Sequence, residues 1–525
     1  MKHEETINKF IVFVESLNPE TSEISWKGIY REFPLPEGGF LSKNEIRRYI
    51  ESQKIKVNDN LMKILKLKPV RSISGVSPVT VFTKPYFCSG KCIFCPTRKN
   101  APKSYLLDEP GIQRAVSQNF DPYDQVITRL KALSANGHDT SKIEVIISGG
   151  TWDDYELSYR REFINNIFKA LNEFNSQGRA TGDISLNDLQ DQNSTSKTRC
   201  VGMSIETRPD KVNYESIKQY RKFGITKVQL GIQSLNDEIL EKNFRGHKVQ
   251  DSHQAIELLR QNGFKIQIHW MCNLYGSTSE GDYEDFIKLF NDPRVMPDEL
   301  KIYPCSIIPG TGLEELYKNA KFTPYSEKGL IRLLARCKVH IPKYCRVARL
   351  FRDIPSGNIS AGVDKTNLRQ LIHDYMGANS MECQCIRCRE IRDEIVEDIE
   401  DLKYEEIEYK TSVSKEVFMS YSYHGKLVAF LRLSLLNNNE NLIKSKALIR
   451  ELHVYGVTVG IGKSKTGASQ HIGLGSELIQ KACKKACEAK VKQIAVISAV
   501  GTRKYYEKLG FNIEKDYGYG IRDLR

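Results

Sequence analysis

Between about residues 71 and 350, short apolar runs alternate with longer stretches of mixed character. The runs 79–82, 144–148, 201–207, 228–233, 266–271 and 299–303 are rich in β-branched residues and read as strands. The stretches 124–135, 159–174, 212–223 and 250–261 between them are amphipathic and read as helices. Repeated strand–helix units imply a parallel sheet with helices outside. About six clear strands favour an open, partial barrel over a closed one of about eight. After about residue 400 the pattern changes: 417–423, 426–434 and 447–455 alternate as antiparallel strands do, and 476–489 reads as a helix. Then 493–499 reads as a buried strand, and 502–511 as a short helix stopped by Gly510. Residues 1–70 read as a helical module. The expected organisation is α/β: a helical module at 1–70, a partial (β/α) barrel at 71–370, a cysteine-rich linker at 371–400 and an α+β domain at 401–525.

Composition narrows the class. A chain of 525 residues is too long for one core and suggests about two to four domains. Hydrophobic residues at 40% and charged residues at 27% describe an ordinary soluble globular protein. No stretch approaches the roughly 20 apolar residues of a membrane helix, and Met1-Lys2-His3-Glu4-Glu5 is charged without a secretory core, so a cytoplasmic protein with no membrane partner is expected. Thirteen cysteines, several in metal-ligand spacing, fit a reducing compartment better than a disulfide framework. The net charge of +13 suggests an anionic partner, and its distribution matters more than its sum. Between Leu41 and Gly75, Lys43, Arg47, Arg48, Lys54, Lys56, Lys63, Lys66, Lys68 and Arg71 face only Glu45, Glu51 and Asp59. Such a cluster suits phosphate contacts driven by counterion release, although it also serves as a solvated helix face. Tyr30 and Tyr49 receive no role, since single aromatics usually belong to a core.

The strongest chemical signal is Cys88-Ser-Gly-Lys-Cys92-Ile-Phe-Cys95, a loop directly after the first strand. Three thiolates are one short of a closed tetrahedral site. An iron–sulfur cluster held this way keeps one iron unligated by protein, open to the amino and carboxylate groups of S-adenosylmethionine. The alternatives are a zinc loop lacking its fourth ligand, or reduced cysteines that merely pack; zinc usually draws on a second Cys or His pair at short spacing, and none follows Cys95 closely. In a (β/α) barrel chemistry sits where strands end. There lie Gly149, Gly150, Thr151 and Trp152, then Glu206, Thr207 and Arg208, with Gln229, Gln233, His269, Lys301 and Tyr303 on further strands. That recurrence is what a polar cofactor in a barrel mouth requires.

Two further patterns lie downstream. Cys383-Gln-Cys385-Ile-Arg-Cys388 looks like most of a structural zinc site, with His373 as first choice for a fourth ligand and Cys345 as second; three reduced cysteines in a linker are the bland alternative. Gln470-His-Ile-Gly473-Leu474-Gly475-Ser476 is a glycine-bearing loop opening a helix, whose N–H groups suit a pyrophosphate. It resembles the coenzyme A loop of the GNAT acetyltransferase superfamily, where Tyr505 and Tyr506 fall near the expected thioester. Gly462-Lys463-Ser464 imitates the end of a P-loop, but Val457 occupies the required earlier glycine position.

Taken in order, Cys88, Cys92 and Cys95, Ser148-Gly149-Gly150-Thr151, Ile205-Glu206-Thr207-Arg208-Pro209-Asp210, Gly231-Ile232-Gln233-Ser234, Arg245-Gly246-His247, Leu300-Lys301-Ile302-Tyr303-Pro304, Arg352-Asp353-Ile354-Pro355 and Glu451-Leu452-His453-Val454-Tyr455-Gly456 resemble the family of Elongator catalytic subunits from about residue 70 onward. Eukaryotic members space the first two cysteines more widely, so the likeness is to the archaeal or bacterial branch. It implies a radical S-adenosylmethionine barrel, a GNAT domain and a basic tRNA-binding N-terminal module.

It further implies a 4Fe–4S cluster on Cys88, Cys92 and Cys95, with Gly149, Gly150, Glu206, Arg208 and Gln233 around S-adenosylmethionine. Acetyl-coenzyme A falls on Glu451, Leu452, His453, Val454, Gln470, Gly473, Leu474, Gly475, Ser476, Tyr506 and, from the barrel, Lys142. The implied reaction moves an acetyl-derived radical onto C5 of the tRNA wobble uridine and hydrolyses the thioester to leave 5-carboxymethyluridine. The expected partners are tRNA, acetyl-coenzyme A, an electron donor for the cluster and a second copy of the chain. A protein lysine acetyltransferase with a structural radical domain is the competing enzyme, and a noncatalytic RNA-binding module the third class.

Overall fold

The structure, a computed structural model, describes residues 3–16, 26–58, 61–62, 65–67, 72–175, 184–352, 354–365, 367–392, 394, 396–456 and 473–524. Lys63, Lys68, Arg71, Asp59, Asp353, Gln470, the side chain of Tyr30 and the stretch containing Val457 and Gly462-Lys463-Ser464 lie outside these residues.

Strands β1 (Ser77–Phe82), β2 (Lys142–Ser148), β3 (Arg199–Thr207), β4 (Lys227–Gln233), β5 (Lys265–Trp270), β6 (Glu299–Ile302) and β7 (Arg346–Arg349) form one sheet in chain order, every neighbouring pair parallel. The expected helices appear as Pro122–Ala135, Leu157–Glu173, Tyr214–Lys222 and Val249–Gln261. The seventh strand exceeds the six expected: Arg-Val-Ala-Arg carries no strand pattern of its own, and only its ladder with β6 defines it.

The barrel strands obey a period of two. Lys227, Gln229 and Gln233 alternate on β4 with Val228, Leu230 and Ile232; Lys265, Gln267 and His269 on β5 with Ile266, Ile268 and Trp270; Glu299 and Lys301 on β6 with Leu300 and Ile302. Successive side chains point to opposite faces. The apolar set is fully buried in the main core beneath the helices, and the polar set lines the lumen. Most barrel interiors are filled by branched apolar side chains. Here Ser204, Lys227, Gln229, Gln267, Glu299 and Lys301 are buried instead.

The second sheet has the order β13-β14-β12-β11-β10-β9-β8, built from β8 (Leu402–Lys410), β9 (Ser414–Tyr423), β10 (Lys426–Leu436), β11 (Ala447–Val454), β12 (Gln493–Val496), β13 (Asn512–Ile513) and β14 (Gly520–Asp523). All its pairs are antiparallel except β11 with β12, which are joined by the helix Leu474–Glu488. That parallel pair holds only from Ala447 to Ile449; beyond it the strands part, and Glu451, Leu452, His453 and Val454 are half-buried along the opening. Strand β8 is absent from the sequence reading because Leu402-Lys-Tyr-Glu-Glu-Ile-Glu-Tyr-Lys is mostly charged and half-exposed.

The two sheets share one contiguous apolar core. Polar contacts lock them together: the Arg450 guanidinium pairs with Asp298 at 2.6 and 2.8 Å, Arg221 donates to the Ser498 carbonyl at 3.1 Å, and the Tyr519 hydroxyl donates to the Asn262 carbonyl at 2.7 Å. The N-terminal helices Glu4–Ser16 and Lys43–Ser52 have their own small core around Phe10, Ile46 and Tyr49. Tyr49 belongs to it, its hydroxyl donating to Glu4 at 3.1 Å. Arg47 is also buried, paired with Glu51 at 3.1 Å, which removes it from the basic face; Arg48, Lys54 and Lys56 are exposed. Among the described residues, no helix is long and apolar enough to cross a membrane.

Candidate active site

The cysteine loop leaves β1 and lies over the C-terminal ends of the barrel strands. Its sulfurs meet donors: the Gly90 N–H approaches Cys88 Sγ at 3.4 Å, the Thr151 hydroxyl lies 3.6 Å from the same sulfur, and Arg245 Nη1 donates to Cys92 Sγ at 3.3 Å. Burial, then the neighbouring Cys92 sulfur, pushes the Cys95 thiol up to about 11, outweighing the Ser104 hydrogen bond and Arg352. Such a thiol becomes a ligand only to a metal that displaces its proton. Beneath the loop, Gly149 and Gly150 adopt φ of +138° and +106°, and a Cβ on Gly149 would fall on Thr83 Oγ1. Glu206 accepts from the Tyr105 hydroxyl at 2.9 Å and pairs with Lys301 at 3.4 Å.

Two polar atoms at this mouth are buried without a partner: Gln233 Oε1 and Arg245 Nε. Burial, then Arg245 and Arg208, pushes His247 down to about 2, so its ring is neutral. Orphaned polar atoms beside three donor-supported sulfurs fit a site built for a cluster and a polar cofactor. The Arg208 guanidinium spans Asp210 at 2.9 and 3.1 Å and the Arg245 carbonyl at 2.8 Å.

The N-terminal ends of the same strands abut the splayed edge of the second sheet, enclosing a cavity of about 200 Å³. Lys227, Lys265 and Glu299 line it from the barrel, Glu451 and His453 from the second sheet, and Tyr506 from the short helix Arg503–Lys508. Lys265 Nζ bridges the halves, 2.6 Å from Glu299 Oε1 and 2.5 Å from Glu451 Oε1, while Arg432 Nε donates to Glu451 Oε2 at 2.8 Å. Burial would raise Glu299, but Lys227 and Lys265 outweigh it and hold it below the usual carboxylate range. His453 is lowered by burial, against Glu451, and so donates as a neutral ring to the Ser74 carbonyl at 2.9 Å. Burial raises the Tyr506 phenol, which stays protonated at neutral pH. A Cβ on Gly475 would meet the Tyr505 hydroxyl at 2.7 Å and Leu452 and Val454 at 3.7 Å, so these residues converge where Gly473, at φ +85°, opens the helix. Lys142 begins β2, two residues before cavity-lining Glu144, and burial lowers its pKa.

Cys383, Cys385 and Cys388 bring their sulfurs within 4.8 Å of one another, alone in doing so among the described residues. Zinc–sulfur bonds of about 2.3 Å place tetrahedral thiolates about 3.8 Å apart, so this trio is the size of a single ion. The sulfurs of Cys88, Cys92 and Cys95 do not all lie within 4.8 Å of one another. Neither His373 nor Cys345 joins the trio. Lys338 Nζ lies 3.8 Å from Cys388 Sγ, and Cys385 is held far below its usual value by hydrogen bonds from Cys383 and Cys388.

The predicted residues therefore form two constellations rather than one. Cys88, Cys92, Cys95, Gly149, Gly150, Glu206, Arg208 and Gln233 share the C-terminal end of the barrel; Lys142, Glu451, Leu452, His453, Val454, Leu474, Gly475, Ser476, Tyr505 and Tyr506 share the other. Seven residues of β2 separate them, roughly 20 Å. Sequence reasoning missed Lys227, Lys265 and Glu299. The signal that finds them is a charged residue opening each strand two positions before Gln229, Gln267 and Lys301.

Comparison with known proteins follows this layout. The radical SAM superfamily matches residues 83–290 and the radical SAM C-terminal domain residues 297–378. The tRNA uridine(34) acetyltransferase of Methanocaldococcus infernus is 40% identical over 490 residues, 90% of this chain and 90% of that protein. Elongator complex protein 3 of Homo sapiens is 34% identical over 477 residues, 87% of this chain and 86% of that protein. The solved structure of the archaeal M. infernus Elp3, with its N-terminus deleted, superposes with a TM-score of 0.74 at 36% identity, covering 86% of this chain and all of that one.

Proposed function

We propose, because this chain belongs to the radical SAM family of tRNA uridine(34) acetyltransferases and Elongator complex protein 3, that it is a tRNA-modifying acyltransferase that carboxymethylates C5 of the wobble uridine from acetyl-coenzyme A. What supports this reading most is that a single chain carries a three-cysteine loop at one end of a polar lumen and, at the other, a cleft lined by Lys265, Glu299, Glu451, His453 and Tyr506.

Cys88, Cys92 and Cys95 are the residues to hold the 4Fe–4S cluster, which with S-adenosylmethionine supplies one-electron cleavage of a C–H bond. Arg245 steadies the Cys92 sulfur, and Gln233 and Glu206 offer the polar atoms for the cofactor. At the opposite end His453 and Lys142 position acetyl-coenzyme A, and Tyr506 protonates the thiolate released when the thioester is hydrolysed. Glu451 is committed to Lys265 and Arg432 and acts by orienting. The reading requires the acetyl unit to move along the lumen, where the buried, unpartnered Gln267 Oε1 accepts from an amide-bearing arm. Arg48, Lys54 and Lys56 take tRNA phosphates. Cys383, Cys385 and Cys388 hold a structural zinc beside the junction of the two sheets.

The test is nucleoside mass spectrometry on unmodified tRNA incubated anaerobically with cluster-loaded protein, a reductant, S-adenosylmethionine and acetyl-coenzyme A. A carboxymethyl mass on uridine that requires Cys92 and both cosubstrates is expected. Acetyl groups on protein lysines with unmodified uridine would overturn it in favour of the protein acetyltransferase. Lys142→Ala is expected to slow tRNA-dependent acetyl-coenzyme A turnover with iron content unchanged; wild-type turnover would remove Lys142 from the site.

A further inference from the structure

Among the described residues the two most exposed aromatic side chains are Phe87, at 74%, and Phe244, at 63%. Single exposed apolar residues are ordinary, but these two flank the same loop. Phe87 immediately precedes Cys88. Phe244 sits between Asn243, whose carbonyl accepts from the Ile93 N–H at 3.2 Å, and Arg245, which donates to Cys92 Sγ.

Neither ring is exposed for want of local order. Asn243 is pinned inward, its amide donating to the Ile239 and Tyr275 carbonyls at 2.8 and 2.9 Å, and Arg245 is buried against the Gly231 carbonyl. Between these anchors Phe244 takes φ +50°, a left-handed conformation that a bulky residue rarely adopts. Strain of this kind persists where surrounding structure imposes it, often at functional sites. On the other flank, Tyr159 stacks on Tyr155 at 5.1 Å and Tyr155 on Tyr86 at 4.8 Å, and the series ends at the 39%-exposed ring of Tyr86 beside Phe87. Within four positions of Phe87 or Phe244 the exposed charges are Lys84, Lys91, Lys242 and Lys248 against Glu241 alone.

Open aromatic faces set among lysines are the recognition chemistry of single-stranded nucleic acid, in which bases stack and the backbone meets cations. We infer that Tyr86 and Phe87 on one side of the cysteine loop, and Phe244 on the other, stack the two bases flanking the target uridine, so that the uridine alone turns into the barrel mouth. This rests on the tRNA reading above and adds how the RNA is gripped. Stacking of this kind tolerates any flanking base, because every base offers a ring face.

The test uses full-length tRNA with 2-aminopurine replacing the nucleotide on either side of the wobble uridine, titrated with the whole protein. Wild-type protein is expected to change the probe's fluorescence on binding, as a base leaving its neighbour for a protein ring does. Phe87→Leu and Phe244→Leu keep apolar bulk without a ring; each is expected to abolish the change at one probe and weaken tRNA affinity by about 10-fold. Phe87→Tyr and Phe244→Tyr should restore both. Iron content and reductant-driven S-adenosylmethionine cleavage without tRNA report folding and should not move. An unchanged probe signal in the leucine variants, or no signal with wild type, overturns the inference. A ring-dependent signal with no carboxymethylated uridine overturns the proposed reaction and leaves the stacking contact standing.

Discussion

Lys265 carries the ion ladder between the barrel and the second sheet, and replacing it with methionine keeps the aliphatic stem while deleting the charge. Two buried carboxylates lose a partner, Glu299 at 2.6 Å and Glu451 at 2.5 Å. Removing one member of a buried ion pair typically costs about 3–5 kcal/mol, because the remaining charge is stranded. Neither carboxylate is left without a cation here: Glu299 retains Lys227 at 3.5 Å and Glu451 retains Arg432 at 2.8 Å. The expected loss is therefore about 3 kcal/mol, the low end of that range. Guanidinium titration of Lys265→Met, Glu451→Gln and the double variant measures it. Since Glu451→Gln removes one of the stranded charges, the double variant should be less destabilised than the sum of the singles by about 1–2 kcal/mol. Circular dichroism and tryptophan fluorescence should give coincident transitions, because the two sheets share a core. A Lys265→Met loss below about 0.5 kcal/mol, or strict additivity, would refute the claim that this ladder joins the halves.

Three further outcomes follow from the geometry. Gly149→Ala puts a Cβ onto Thr83 Oγ1 at φ +138° and should lower both stability, by about 2 kcal/mol or more, and iron bound per chain; iron content equal to wild type would show that the loop does not depend on this turn. Burial pushes Asp282 up to about 6 although its carboxylate accepts from the Asn273 N–H at 2.6 Å and the Tyr325 hydroxyl at 2.8 Å. The folded chain thus keeps a proton that the unfolded chain, at 3.8, has shed, so this group's stabilisation is full below pH 3.8 and is lost as pH rises through 6, about 3 kcal/mol in all. The stability of wild type minus Asp282→Asn should fall by that order between pH 4 and 7, and a flat difference would defeat the assignment. Cys383→Ser should abolish one equivalent of zinc in cluster-free protein and lower the unfolding midpoint, whereas zinc-free wild type would end the metal reading.

Much of the barrel was legible because its strands are short, apolar on alternate positions and separated by amphipathic helices. Strand β7 was not, since Arg346-Val-Ala-Arg349 is a strand only by virtue of the β6 edge it completes. Strand β8 escaped for the opposite reason: its charges face solvent, and nothing local distinguishes it from a surface loop. The cysteine loop and the glycine pair announced themselves by spacing. Lys265, Glu299 and Arg432 did not, because a lone buried charge is improbable until its partner is known, and the partners lie as far away as Glu451.

The sequence by itself determined the chemistry on offer: three cysteines after a strand, polar residues at successive strand positions, and a glycine-led helix. Local spacing and the alternation of a pleated strand suffice for that. Only the tertiary structure decided that these groups gather in two clusters at opposite ends of one polar lumen, that Arg47 pairs with Glu51 and Arg208 with Asp210, and that the two sheets share a core. Each of those depends on which surfaces exclude water against each other, and pairs such as Arg450 with Asp298 join residues 152 positions apart in the chain.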